Sequence, residues 1–339
     1  MSYIIEEEAK NIVSNINFEL LRDKKILITG ASGLIGIFLI ASLKEIKEKY
    51  NISIYAWINN SLDDNISRIF SGCNILQGDI TNINTFQDMN MFDCIIHAAG
   101  YGQPTKFMDD KIKTIHLNTT TIINLFKYLN PNGKFLFVST SELYSGLDYE
   151  NITEEQIGIT NTNHPRSCYI EGKRCGEAIC YSYIDKGFDI KIIRLSLAYG
   201  PGTKKNDGRV LNSLIQKGLT ENSIRLMDSG DAIRTYGYIT DIIEMFWNIL
   251  LFGKEILYNV GGKSITTILE LARLIGFELN KKVIIPNVSQ EILGNPKFVN
   301  ISLNRYLSEF KKENFISLKD GIEKTIKWQK KIYNGTNNT

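Results

Sequence analysis

Tyr169 and Lys173 lie four residues apart in the stretch Ser167-Cys168-Tyr169-Ile170-Glu171-Gly172-Lys173-Arg174, so on a helix they share one face. An ammonium beside a phenol favours the phenolate, bringing a tyrosine down from about 10 toward neutral pH and making it a general base. Such a pair is common by coincidence, and its surroundings decide its use. Upstream, Ser139-Thr140-Ser141-Glu142 sets hydroxyls and a carboxylate at the end of an apolar run, Phe135-Leu136-Phe137-Val138, that reads as a buried strand.

The elements able to position these groups are legible around them. Lys25-Ile26-Leu27-Ile28-Thr29 is another strand-like run, followed at once by Gly30-Ala31-Ser32-Gly33-Leu34-Ile35-Gly36 and a helical stretch to about Tyr50. In such a unit Gly30 allows the tight turn, Gly33 lets backbone approach a pyrophosphate and Gly36 permits close helix packing, with Ser32, Leu34 and Ile35 completing the phosphate-binding turn. The next strand, Ile52 to Ile58, ends at Asn59-Asn60, without the acid that usually holds an adenosine ribose and without an arginine for a 2′-phosphate. NAD is therefore expected rather than NADP, with Asn59 or Asn60 near the ribose. Asn74 to Ile80 and Phe92 to Gly100 supply two more strand ends. Asp79, followed by Ile80, is placed to accept from an adenine amino group or to cap a helix. Ala98, Ala99 and Gly100 let backbone run close to a cofactor, and Gln103 follows as a substrate-side candidate. A helix from about Asp110 to Leu129 carries Asn118, a further cofactor-side candidate, and Pro131-Asn132-Gly133 is expected to end it.

Strand and helix signals alternate on through Ile190 to Ser196, which predicts an α/β fold: a Rossmann-like doubly wound parallel sheet with helices on both faces. Residues 25–200 are read as the NAD-binding domain with the Tyr/Lys pair. Residues 1–24, with apolar positions at Ile4, Ile5, Ala9, Ile12 and Val13, are read as an N-terminal helical extension on its flank. Residues 201–333 are mainly a smaller C-terminal α+β substrate-binding portion, some segments of which return to the Rossmann domain. Its helices are expected from Val210 to Gly218 and from Ile265 to Gly276, and the Asn/Thr tail after Tyr333 reads as disordered.

Composition narrows the functional classes. The chain has 339 residues and a formal net charge of +2, so nothing electrostatic favours nucleic acid or an anionic membrane as partner. Met1 to Lys25 has no apolar run of signal-peptide type and no later window approaches a membrane span, which reads as a soluble, cytoplasmic protein. Five cysteines without paired C-x-x-C spacing, and three scattered histidines, His97, His116 and His164, argue against a disulfide framework or a metal site.

Taken together, the glycine turn, His97-Ala98-Ala99-Gly100, Ser139-Thr140-Ser141-Glu142-Leu143-Tyr144, Tyr169-x-x-x-Lys173 and Tyr199-Gly200-Pro201 resemble the extended short-chain dehydrogenase/reductase family, specifically its NAD-dependent nucleotide-sugar epimerases, dehydratases and decarboxylases. The likeness runs from about Lys25 to Trp328. Within the family the chain is most similar to UDP-glucuronate decarboxylases that make UDP-xylose, through the S-T-S-E strand end, Cys168 to Arg174, and Asn206-Asp207-Gly208-Arg209-Val210. Sugar-nucleotide 4,6-dehydratases usually carry Asp then Glu after the catalytic Thr, and here Ser141 replaces that Asp.

The resemblance implies catalytic roles for Thr140, Glu142, Tyr169 and Lys173, the last two also touching cofactor. Tyr169 phenolate, with Thr140, takes the proton of the sugar 4-hydroxyl while hydride passes to nicotinamide. The resulting ketone is β to a uronate carboxylate, so carbon dioxide leaves, Glu142 and Thr140 manage protonation at carbon 5, and hydride returns. Arg234 keeps the family position for a diphosphate clamp, Arg209 is a second candidate, and Ser141 completes the substrate side. Two departures imply a different grip on the ligand: Leu197 stands where relatives carry Asn, and Asn295-Pro296-Lys297-Phe298-Val299-Asn300 lacks the arginines of a D-P-x-R-R-x-P-D segment. A 4-epimerase or 4,6-dehydratase of another nucleotide sugar therefore remains an alternative, as does a non-catalytic dinucleotide-binding protein. The family also implies a homodimer.

Overall fold

The apolar runs fold as parallel strands covered on both faces, the usual fate of strands without a polar side. In a computed structural model that describes residues 3–87, 89–147, 151–286 and 298–334, the chain opens with α1 (Tyr3–Val13), β1 (Lys25–Thr29), α2 (Leu34–Tyr50), β2 (Ser53–Ile58), the single turn α3 (Asp64–Ser67), β3 (Asn74–Gln77) and β4 (Phe92–His97). Three short helices, α4 (Pro104–Asp109), α5 (Lys111–Asn118) and α6 (Thr120–Phe126), precede β5 (Leu129–Thr140). Then come α7 (Ser167–Ile184), β6 (Asp189–Leu195), β7 (Leu197–Tyr199), α8 (Val210–Thr220), β8 (Ser223–Arg225), β9 (Ile233–Tyr238), α9 (Ile239–Phe252) and β10 (Leu257–Val260). The rest holds β11 (Ser264–Thr267), α10 (Ile268–Leu279), β12 (Lys282–Ile284), β13 (Phe298–Val299), α11 (Asn304–Phe310) and α12 (Leu318–Asn334).

Seven strands form one parallel sheet in the order β10-β6-β5-β4-β1-β2-β3. Chain order reverses between β1 and β4, and the loops leaving those strands diverge into a crevice at the carboxyl ends. His97 braces this point: one ring nitrogen meets Thr29 Oγ1 at 2.8 Å and the other the Leu117 carbonyl at 2.9 Å. Burial, with a smaller push from Lys173, pulls His97 down to about 3, so the ring is a neutral strut. A smaller sheet of β11, β9 and β13, with β7 added on β9, and a two-stranded pair of β12 and β8 make up the second portion. Because β10 returns to the edge of the large sheet beside β6, the division at residue 200 does not separate the two portions cleanly.

Three element boundaries depart from the sequence reading. The first helix stops at Val13; its Ile5, Ala9 and Ile12 are buried, and its buried Glu8 accepts from Lys324 at 2.6 Å and Tyr238 at 3.3 Å, which pins the extension to α12 and β9. The helix expected over 110–129 breaks at Thr119, at φ −130° and ψ −83°, where three successive β-branched threonines restrict the backbone. Pro131-Asn132-Gly133 lies inside β5 rather than ending a helix. Proline has no N–H for a sheet ladder, and the pairing of β5 with β4 slips there, between Phe92 and Cys94. The disordered reading of the tail, apart from Asn334 at the end of α12, falls outside the described residues, as do Asn295 to Lys297 of the segment that lacks arginines; its next two positions, Phe298 and Val299, where the motif carries them, form β13.

Candidate active site

The glycine turn leaves β1 with Gly30 at φ +66°, where a Cβ would lie 2.6 Å from the Ala98 carbonyl oxygen; a Cβ on Gly36 would lie 2.4 Å from the Gly30 oxygen. Backbone this close admits glycine alone. A Cβ on Gly33 would meet only the Gly30 oxygen, at 3.2 Å, so this backbone is bare. No side chain caps α2, and its first-turn N–H groups are left for an anion. From there a cleft of about 400 Å³ runs past Asn59, Asp79 and Ala98–Gly100 to Tyr169 and Glu142. Bare amides at a helix start, an amide side chain at the end of β2 and small residues after β4 fit a dinucleotide. Asp79 is already engaged, by Lys113 at 2.7 Å and by the Thr81 amide and hydroxyl. Against burial, these bonds hold it below the usual carboxylate range.

The candidate catalytic corner forms where β5 delivers Thr140 and α7 delivers Tyr169. The Thr140 hydroxyl accepts the Glu142 N–H at 3.2 Å and bonds to the Tyr169 hydroxyl. Tyr169 is only 8% exposed, because Phe107 of α4 stacks flat on its ring at 4.6 Å and 2°. Lys173 donates to the Val138 carbonyl at 2.5 Å, and its Nζ is 6.0 Å from the Tyr169 ring centre. Burial, reinforced by Glu142, pushes Tyr169 up to about 12, against its Thr140 bond and the charges of Arg166 and Arg209. Burial pulls Lys173 down to about 7, against Glu177 and Cys180. Burial here works against the effect that the helical spacing alone suggests. Desolvation penalises both charged forms, and the ammonium is committed to a carbonyl, so the pair favours neutral phenol over phenolate until positive charge enters the cleft.

Glu142 follows in a 3₁₀ turn, Ser141–Tyr144. One of its oxygens pairs with Arg166 at 2.5 Å, while the other is buried without a partner. Burial raises its pKa, opposed by Arg166 and Arg234. Behind this corner lies a second glutamate–arginine pair. Arg194 of β6 binds Glu177 of α7 through two nitrogens, at 2.8 and 3.0 Å. Its Nη1 donates to the Tyr144 hydroxyl and to the carbonyls of Glu154 and Gln156, and Glu177 also accepts from Ser139.

The cleft wall takes in every site residue named from the sequence except Asn60, Asn118 and Arg234. Asn118 is buried on α5 with its Nδ2 donating to Thr114; Gly172 of α7 packs against its Cβ, which keeps it out of the cleft. Arg234 is buried on β9 and donates to its own strand at Ile233; it acts on Glu142 by charge from behind. Arg209 reaches the wall already paired with Asp207 at 2.6 Å. Sequence reasoning missed Arg166, although its place three residues before Tyr169 at a helix start was a usable signal. It also missed the stacking Phe107, whose partner lies far along the chain, and Lys204, which brings its Nζ to 3.5 Å from Ser32.

Comparisons with known proteins agree with this geometry. The model of the NAD dependent epimerase/dehydratase family matches residues 26–261. UDP-glucuronic acid decarboxylase 1 of Xenopus tropicalis is 28% identical over 255 residues, covering 74% of this chain and 59% of its own length; the chain thus spans about three fifths of that relative. UDP-glucuronic acid decarboxylase 6 of Arabidopsis thaliana is 28% identical over 275 residues, covering 80% of this chain and 77% of that protein. The crystal structure of a UDP-glucuronic acid 4-epimerase from Bacillus cereus, in complex with UDP-glucuronic acid and NAD, superposes with a TM-score of 0.76 at 24% identity, covering 91% of this chain and 100% of that one. At that identity the likeness establishes the Rossmann-like fold.

Proposed function

We propose, on the premise that this chain belongs to the NAD dependent epimerase/dehydratase family, that it decarboxylates a UDP-hexuronate of the UDP-glucuronate type to a UDP-pentose through a 4-keto sugar. The observation that carries the reading is Glu142, a half-buried carboxylate with one buried oxygen left without a partner, at the cleft wall beside Thr140 and Tyr169. Nucleotide-sugar chemistry that ends at carbon 4 needs the Tyr/Thr pair alone, whereas protonation at carbon 5 needs a further group to hold or move a proton. The names of the relatives at 28% identity support the same choice.

A bound NAD would supply a hydride acceptor for sugar carbon 4 and the donor that restores it, and would so be recycled. The glycine turn and the start of α2 would hold its phosphates, and Asn59 its ribose. Tyr169 takes the proton of the 4-hydroxyl and shares that oxygen with Thr140. Lys173, held by Val138 and close to neutral, supplies positive charge beside the phenol when protonated. With a ketone at carbon 4 the bond from carbon 5 to the carboxylate breaks, its electrons move into the ketone, and carbon 5 then takes a proton under the control of Glu142. Phe107 keeps water off the face of Tyr169.

A second reading rests on Leu197, which lines the cleft where relatives carry an amide: a 4-epimerase or a 4,6-dehydratase of another nucleotide sugar. Incubation with UDP-glucuronate and NAD, read by mass spectrometry, separates these outcomes. Loss of carbon dioxide supports decarboxylation, unchanged mass with an inverted centre supports epimerisation, and loss of water from a neutral hexose nucleotide supports dehydration. No helix among the described residues is long and apolar enough to cross a membrane, in keeping with a soluble, cytoplasmic role. The exposed Ile112 and Ile115 on α5 and Tyr181 on α7 offer an apolar face for a homodimer, which light scattering at micromolar concentration tests; a monomer there removes it.

A further inference from the structure

Two buried polar atoms at the catalytic corner have no partner, Oε2 of Glu142 and Nε of Arg166. They belong to the same ion pair, closed by Arg166 Nη2 on Glu142 Oε1. Arg166, 9% exposed, ends the loop that leads into α7, and its guanidinium carbon stands 5.5 Å from the centre of the Phe107 ring. Phe107 in turn lies flat on Tyr169. One guanidinium is thus wedged between the Glu142 carboxylate and the ring that covers the catalytic phenol. Leaving a carboxylate oxygen and a guanidinium nitrogen bare in a dry place costs free energy unless something arrives to satisfy them. A sugar hydroxyl or a water does both at once, donating to the oxygen and accepting from the nitrogen.

We propose that Arg166 is a positioning residue for Glu142: by clamping one carboxylate oxygen it keeps the other free beside Thr140 and Tyr169, so that Glu142 meets an incoming hydroxyl or water as an acceptor. The clamp opposes the rise that burial imposes on the carboxyl of this half-buried glutamate. The charged and titratable groups facing Glu142 are Arg166 before α7, Arg234 on β9 and Tyr169 on α7. Burial raises the carboxyl and the two guanidiniums oppose it. Without Arg166 only Arg234 remains against burial, and the Glu142 carboxyl moves further above its ordinary range. The identity of the incoming group rests on the function proposed above; the clamp itself does not.

The test needs no substrate. An infrared titration of the NAD-loaded protein, taken as the difference from Glu142→Gln, reads the protonation midpoint of the Glu142 carboxyl. Arg166→Met is expected to move that midpoint up by about one to three pH units, the effect of removing one close opposite charge. Arg166→Lys, which keeps the charge, is expected to hold it near the wild-type value. NAD affinity by calorimetry is expected to be unchanged in both, showing an intact cleft. Should Arg166→Met fail to fold, Arg166→Gln is the second neutral variant, with the same expected shift. A midpoint left in place by the neutral variant overturns the clamp. A midpoint shifted in Arg166→Met, with wild-type protein that leaves UDP-glucuronate untouched, keeps the clamp and removes the decarboxylase reading; an unshifted midpoint, with wild-type protein that turns UDP-glucuronate over, does the reverse.

Discussion

Ser139 and Glu142, three residues apart, lead into two glutamate–arginine pairs of opposite character. Glu177 and Arg194, 5% and 4% exposed, are closed on all sides: two bonds join them, and a serine, a tyrosine and two carbonyls use their other valences. Tyr144 extends that network to Asn259, whose own amide bonds to Ile152 and Ser302, so the pair ties the main sheet to two distant loops. Glu142 and Arg166 are joined by one bond and leave an oxygen and a nitrogen over. A buried pair whose bonds are complete is a joint, and a buried pair left incomplete awaits a ligand.

The contrast can be broken most sharply on the incomplete side. Tyr169→Phe removes one oxygen and little volume, and is expected to slow sugar oxidation by about 10⁴-fold, at the upper end for a single acid–base group. NAD binding by calorimetry should stay at the wild-type level; turnover within a few-fold of wild type would remove Tyr169 as the base. On the complete side Arg194→Met strands the Glu177 carboxylate and is expected to cost about 3–5 kcal/mol of stability in urea unfolding, as for other broken buried pairs. A loss below about 1 kcal/mol, the scale of a single ordinary hydrogen bond, would show that the network is not a joint. Glu142→Gln lies between these effects. It is expected to slow overall turnover by about 10²-fold while sugar oxidation, followed by absorbance of the reduced cofactor, continues. Stability should change by about 1 kcal/mol or less, because Gln keeps an oxygen for Arg166.

This difference between the pairs was only half legible in the sequence. The parallel sheet followed from strand-type apolar runs alternating with helices, and the glycine turn from three glycines between a strand and a helix. Thr140 and Glu142 stood out because they follow an apolar strand run, and Tyr169 and Lys173 because their spacing puts them on one helix face. What the sequence did not carry was pairing across long separations. Glu177 and Arg194 meet because β6 lies beside β5 under α7, and Phe107 finds Tyr169 because α4 folds back over the cleft. Arg234 occupies a familiar motif position, yet it does not line the cleft wall, and its Nη1 donates to the carbonyl of its neighbour Ile233. Nor does i, i+4 spacing report desolvation, so the ammonium expected to ionise Tyr169 is itself close to neutral.

Lys173 sits between the two pairs, four residues after Tyr169 and four before Glu177, and its proton gives the smallest test. Burial pulls it down to about 7, with Glu177 and Cys180 opposing, whereas an unfolded lysine titrates near 10.4. Below pH 7 both states carry the proton and folding bears the full cost of the buried ammonium. As pH rises from about 7 to about 10, the folded protein has released a proton that the unfolded chain still holds, so this group's contribution to stability increases by about 1.4 kcal/mol per pH unit. Tyr169, at about 12, stays neutral across that window. Lys173→Met lacks the titration, so urea unfolding at pH 7, 8 and 9 should show wild type gaining on the variant at each step. Parallel curves would mean that Lys173 keeps its charge in the folded protein. The ammonium would then stand ready to ionise Tyr169 without help, as the i, i+4 spacing alone suggests, and Glu177 would be acting as its counter-ion as well as the joint of the complete pair.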